Sequence, residues 1–176
     1  MFKGQFFYQL YFYEPGVAEA EFEADIRMAL KKFLVMAGGE TDLSALPAKQ
    51  EGDDMFSNLP EPDELPEWVT EADLDFYEGE FRRSGMRGPL NYYRNHDLTW
   101  ELTKDAPQTI SQPAFFIAGD NDGVVMMAQE AIKIMPHFVT DLRMNELIPN
   151  IGHWTQQEAP EAVNDLMLSF LEELDG

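Results

Sequence analysis

Apolar residues follow two different grammars along this chain, one helical and one of short continuous runs. After Gly16, residues Ala18, Phe22, Ile26, Leu30 and Phe33 recur at helical spacing, with Glu19, Glu21, Glu23 and Asp25 early and Lys31 and Lys32 late. Those charges complement the helix dipole at both ends, so the spacing predicts one helix that stops at Gly38-Gly39. Thr70-Glu71-Ala72-Asp73 predicts a second helix, with a Thr cap and acids in the first turn. Leu74, Phe76, Tyr77 and Phe81 form its apolar side, Arg82 and Arg83 its last turn, and Gly85 its stop. Gly88-Pro89 opens a third, through Leu90, Tyr92, Tyr93, Leu98, Trp100 and Leu102. Two stretches lack this period. Residues 5–13 carry aromatic rings on both parities before Glu14-Pro15-Gly16 turns the chain, which predicts a buried extended segment or the lining of an apolar pocket. Residues 40–68 hold Pro47, Pro60, Pro62 and Pro66 among many acids and predict a long surface loop, with Met55, Phe56 and Leu59 tucked down.

The grammar changes across Pro107-Gln108-Thr109-Ile110-Ser111-Gln112-Pro113, which separates a helical unit over 1–104 from a second unit over 105–176. Ala114-Phe115-Phe116-Ile117-Ala118 is the kind of apolar run expected of a strand buried on both faces. Gly119-Asp120-Asn121-Asp122-Gly123 ends it, a helix follows from about Val125 to Met135, and residues 141–148 include a second strand. The last helix, opened by Pro160, carries Val163, Leu166, Met167, Phe170, Leu171 and Leu174 on one stripe. Strand, helix, strand, helix predicts an α/β arrangement, a parallel sheet with crossover helices.

Charge narrows the function. The chain holds 33 acidic residues against 12 Lys and Arg, a net of −21, so nucleic acids and anionic membrane surfaces are disfavoured as partners. Cysteine is absent, which excludes disulfides, thiol nucleophiles and thiolate metal sites. No apolar run is long enough to span a bilayer, and the opening residues Met1 to Tyr8 lack the pattern of a secretion leader. A soluble cytoplasmic protein is the expectation. His96, His137 and His153 lie far apart in sequence without ligand spacing, so no metal and no cofactor is expected. His137 is expected just past a helix end, at the surface.

Candidate chemistry lies on the two loops that follow the predicted strands. His153 sits in Pro149-Asn150-Ile151-Gly152-His153-Trp154, on a loop leaving a strand and entering a helix. Ligand sites in parallel sheets lie beyond the carboxyl ends of the strands, so Asp122 or Asp120 on the earlier loop is placed to meet it. An aspartate bonded to a histidine fixes its tautomer and makes the other ring nitrogen a competent base. The bland alternative is a pair of aspartates solvating a turn.

The chain resembles the cap and carboxyl-terminal portion of the α/β-hydrolase epoxide hydrolases, of the soluble mammalian type and its bacterial relatives. The matching words are Phe7-Tyr8-Gln9-Leu10-Tyr11-Phe12 with Glu14-Pro15-Gly16-Val17-Ala18-Glu19-Ala20-Glu21, then Ser84-Gly85, Arg87-Gly88-Pro89-Leu90-Asn91 and Tyr93-Arg94-Asn95. Gly119 to Asp122 and Gly152-His153-Trp154-Thr155-Gln156 complete them. The resemblance implies a helical cap over 1–104 and part of the hydrolase core over 105–176. It implies Tyr8 and Tyr93 as donors to the epoxide oxygen, Asp122 as the acid that orients the base, and His153 as the base that activates water. Gln9, His96, Val124 and Trp154 are implied as neighbours of a small apolar epoxide. Two phenols aimed at the oxygen that gains negative charge make physical sense without a metal.

One feature of the family is not found in this sequence. There is neither a Gly-x-Ser-x-Gly nor a His-Asp-Trp-Gly-like nucleophile elbow. The resemblance places the nucleophilic aspartate and the oxyanion loop upstream, on the same or a separate chain, so this chain by itself is expected to be inactive. Two other readings compete: a dehalogenase on the same scaffold, disfavoured by the paired tyrosines, and a non-catalytic fragment that binds apolar ligands or self-associates through an exposed sheet.

Overall fold

A computed structural model describes residues 4–175. Met1, Phe2 and Lys3, which open the stretch read as lacking a leader, lie outside the described residues. The chain divides into two compact units, one comprising the residues up to Val35 with Ser44–Asp105, the other Met36–Leu43 with the residues from Ala106 on.

The first unit is helical. Helix α1 spans Tyr8–Tyr13, α2 Val17–Ala24, α3 Ile26–Ala37, α4 Glu71–Ser84, α5 Arg87–Arg94 and α6 His96–Thr103. Of the two expectations for the aromatic stretch, the extended segment fails, while Phe6, Phe7, Leu10, Tyr11 and Phe12 do line cavities. Only its first residues are extended, with Gln5 bridging Gln50, and the rest winds into α1. Ring packing decides this: Phe12 is buried, with its ring 4.9 Å from that of Tyr93 and 6.1 Å from that of Phe22, and such contacts offset the modest helix propensity of aromatic residues.

The helix predicted from Ala18 to Phe33 is in fact two. Asp25 adopts φ −147° and its carboxylate accepts the Met28 N–H at 3.0 Å, so it stops α2 and caps α3. The third predicted helix also breaks, at Asn95, into α5 and α6. Thr70 and Asp73 form a reciprocal capping box at the start of α4, and Gly85 ends it at φ +71°, as the sequence predicts. The long loop is held down by Glu21, whose carboxylate accepts the N–H groups of Met55 at 3.0 Å and Phe56 at 2.8 Å. Met55 and Phe56 are buried and Leu59 is half-buried.

The second unit contains parallel strands β1 (Ala114–Gly119) and β2 (Leu142–Ile148), with Ala118 opposite Leu147. Between them run α7 (Gly123–Met127) and α8 (Gln129–Phe138), and after β2 come α9 (Thr155–Glu158) and α10 (Pro160–Asp175). The single crossover helix expected here is again two. It starts earlier because the Asp122 carboxylate caps the Val124 N–H at 2.8 Å, and it steps at Ala128, whose N–H is shared between Val124 and Val125 carbonyls. His137 is exposed as expected but lies in the last turn of α8 rather than beyond it. β1 is less covered than its composition predicts: Ala114 to Ile117 are half-buried, and only Ala118 and Gly119 are buried. Among the described residues the sheet has these two strands, and each keeps an unpaired edge. The α10 stripe is likewise covered at Val163 and Phe170, whose ring lies 4.6 Å from that of Phe115, while Met167, Leu171 and Leu174 are exposed.

The loop after β2 presses backbone against backbone. A Cβ on Gly152 would lie 2.6 Å from the Ala37 carbonyl oxygen, and one on Gly119 2.5 Å from the Gly152 carbonyl oxygen. Gly152→Ala is expected to destabilise the chain by about 3 kcal/mol in urea denaturation, because neither neighbour is a flexible side chain. Gly79→Ala, in the middle of α4 with nothing near the new Cβ, is expected to stabilise it by about 0.5–1 kcal/mol.

Candidate active site

In the second unit the loops after β1 and β2 bring Asp122 and His153 together. Asp122 is buried, and its Oδ2 lies 3.0 Å from His153 Nδ1 while its Oδ1 accepts the Val124 N–H. A carboxylate accepting from the ring selects the tautomer with the proton on Nδ1, which leaves the lone pair on Nε2. The His153 side chain is 45% exposed, against 10% for Asp122, so the carboxylate is shielded and the imidazole is reachable. Asp120, the competing acid, instead accepts the Asn150 N–H at 2.7 Å. Trp154 stands edge-on to His153 with ring centroids 5.3 Å apart, and Val124 is 41% exposed at the start of α7.

In the first unit α1 and α5 bring Tyr8 and Tyr93 together, ring centroids 5.8 Å apart at 84°. Gln9 Nε2 donates to the Tyr8 hydroxyl at 3.1 Å, and the ring of His96, an exposed residue, lies 5.8 Å from that of Tyr93. Burial, and secondarily the neighbouring Tyr8, pushes the Tyr93 phenol up from its ordinary value, so it is held protonated and able to donate. The same helices border a cavity of about 830 Å³, lined by Phe12, Phe22, Phe33, Phe81 and Leu90 beside Tyr93. No cluster of metal-ligating side chains occurs among the described residues, and no helix among them is long and apolar enough to cross a membrane.

No protein-family model matches the chain. Individual relatives do. Epoxide hydrolase A of Mycobacterium tuberculosis is 38% identical over 99% of this chain, and bifunctional epoxide hydrolase 2 of Sus scrofa is 38% identical over 95% of it. An epoxide hydrolase from an endophytic Streptomyces superposes with a TM-score of 0.90 at 38% identity, over 98% of this chain. This chain is a homologue of the α/β-hydrolase epoxide hydrolases. It spans 54% of the Mycobacterium tuberculosis relative, 29% of the Sus scrofa one and 53% of the Streptomyces structure, and its fold is a partial α/β-hydrolase fold.

Two residues of this homologue support the clusters without standing out in the sequence. Glu158 accepts backbone N–H groups on either side of His153. Arg94 donates from Nε to the Phe12 carbonyl at 2.9 Å, from Nη2 to the Glu14 carbonyl at 3.3 Å, and to both Glu19 carboxylate oxygens at 2.6 and 2.8 Å. It thereby ties the carboxyl end of α1 to α5 and α2. A lone arginine after Tyr93 matches the family's wording but does not announce these partners.

Hydrogen bonds from Arg94 pull the Glu19 carboxyl from its ordinary 4.5 down to about 2. Because the folded value lies below the unfolded one, the pair's contribution to stability is complete above about pH 4.5 and is lost as the pH falls towards 2. Thermal melts across that window are expected to show this acid loss, and Glu19→Gln is expected to remove its share of it. Arg94→Met, which leaves the shielded Glu19 charge unpaired, is expected to cost about 3 kcal/mol at neutral pH.

Proposed function

We propose that the chain carries the proton-handling half of an epoxide hydrolase that opens small apolar epoxides to vicinal diols through an ester intermediate. The observation that carries this reading is the 3.0 Å contact of His153 Nδ1 with the shielded Asp122 carboxylate, in a homologue of epoxide hydrolases. In this reading residues 1–104 are the cap and 105–176 part of the core. A carboxylate elsewhere attacks an epoxide carbon, the C–O bond breaks, and the electron pair passes to the oxygen, which Tyr8 and Tyr93 stabilise as donors. His153 Nε2 then takes a proton from water and the resulting hydroxide adds to the ester carbonyl. The intermediate collapses with cleavage of the acyl C–O bond, and the departing oxygen takes the proton back from His153. The regenerated carboxylic acid gives its proton to the alkoxide formed in the first step, and the diol leaves. Asp122 stabilises the imidazolium that forms. The substrate neighbours proposed on the first unit are Gln9, through its bond to the Tyr8 hydroxyl, and His96; those proposed on the second are Val124 and Trp154.

The nucleophile and oxyanion donors belong in this reading to the part of the relatives that the chain does not span, on the same polypeptide or another. That part would also cover the exposed Met167, Leu171 and Leu174 and the free sheet edges; otherwise these surfaces favour self-association. The setting we propose is the cytoplasm. The chain alone is expected not to turn over epoxides.

The test is a chimaera that joins, ahead of this chain, the part of the Mycobacterium tuberculosis relative that it does not cover. A cooperatively folded chimaera is expected to form diol, and Tyr8→Phe or Tyr93→Phe to lower kcat roughly 10²- to 10³-fold. A folded chimaera without diol formation, or tyrosine variants at full rate, would count against the reading.

A further inference from the structure

The Glu158 carboxylate gathers three backbone N–H groups. Oε2 accepts from Gly39 at 2.8 Å and from Gly152 at 2.9 Å, and Oε1 accepts from Trp154 at 2.9 Å. Two of these donors flank His153, whose own N–H donates to the Ala37 carbonyl at 2.8 Å. Three successive N–H groups, at residues 152, 153 and 154, are thus fixed, and two of them rest on a single charge. Hydrogen bonds to an ionised acceptor are about twice as strong as neutral ones. Capping of the short helix α9 would account for Trp154, but the Gly39 N–H comes from 119 residues away and has no part in that helix.

We infer that Glu158 is the positioning residue for His153, holding the Gly152–Trp154 backbone so that the imidazole faces Asp122. This rests on the reading of His153 as the base. The physical ground is leverage. Rotation of the peptide planes on either side of residue 153 swings its Cα–Cβ bond, and a displacement near an ångström at a reacting group can cost about 10²-fold in rate. A glutamine at 158 would turn an NH2 group towards at least one of the three donors, so at least one bond is lost without a change of size.

The experiment is nitrogen-15 and proton NMR of the chain itself, comparing wild type with Glu158→Gln and Glu158→Asp. In wild type the His153–Asp122 bond is expected to give a low-field Nδ1 proton and ring nitrogens of one tautomer. In Glu158→Gln the amide protons of Gly39, Gly152 and Trp154 are expected to move upfield. The low-field ring proton is expected to disappear and the ring nitrogens to shift towards a tautomer average, while the signals of Val163 and Phe170 stay in place. Should Glu158→Gln not fold, Glu158→Asp serves: its shorter side chain cannot reach Gly39 and Trp154 together, and a weakened ring-proton signal is expected.

Unchanged His153 ring signals in a folded variant whose three amides have moved would overturn the inference, leaving Glu158 a tie between loop segments. In the chimaera, Glu158→Gln is expected to lower kcat roughly 10²-fold with KM little changed. The two readings fail separately. A chimaera carrying His153→Gln at full turnover would remove the base assignment, while the ring signals would still report whether Glu158 orients His153.

Discussion

The loop that carries His153 is irregular backbone packed on irregular backbone, and every polar group brought together there has to find a partner. Three glycines permit the approach: Gly39, Gly119 and Gly152 each occupy places where a Cβ would meet main-chain atoms. One carboxylate then takes up the donors that the approach would strand, with Gly39, Gly152 and Trp154 all donating to Glu158. Around this knot, Asn121 donates to Ile151 from its backbone and to Gly39 from its side chain, and Thr155 Oγ1 donates to Gly152. The position of His153 follows from that satisfied backbone, and the shielding of Asp122 follows from its place at the end of β1 as the cap of α7.

The tyrosine pair is held by different means. Helix α1 has six residues and no side-chain cap at its start, too short to persist alone. Its stability comes from edge-to-face packing of Phe12 on Phe22 of α2, tilted packing of Phe12 on Tyr93 of α5, and from Arg94, which occupies carbonyls at its carboxyl end while neutralising Glu19. A partly buried ion pair is costly to desolvate, and here Arg94 adds bonds to the Phe12 and Glu14 carbonyls that offset that cost. Where the first unit fixes its candidate donors with rings and one guanidinium, the second fixes its candidate base with glycines and one carboxylate.

Helix existence and the change from helical to strand–helix grammar are legible from apolar spacing, as are the Thr70 cap, the Gly85 stop and the parallel pairing of β1 with β2. Helix continuity is not. Asp25, Asn95 and Ala128 each interrupt a run whose apolar period continues across the break, because a side-chain cap or a tightened turn acts on one residue and leaves the period intact. The ring-rich stretch at 5–13 misleads for a related reason: rings on both parities suit a strand as well as a helix surrounded by other rings. At the candidate site, topology makes a meeting of the two loops readable, but choosing Asp122 over Asp120 depends on backbone geometry. Glu158 lies in plain view five residues after His153, yet its decisive partner, Gly39, comes from a distant segment that sequence spacing cannot reveal.

The division of labour proposed for the two clusters separates two chemical steps, and mass spectrometry can see the boundary between them. The most direct measurement is the intact mass of the chimaera carrying His153→Gln, seconds after mixing with excess epoxide. In the proposed mechanism ester formation requires the tyrosines and the nucleophile, while its hydrolysis requires His153. The expected result is a species heavier by one epoxide that persists, with no diol released. Rapid return to the unmodified mass with continued diol release would contradict the assignment of His153 as the base.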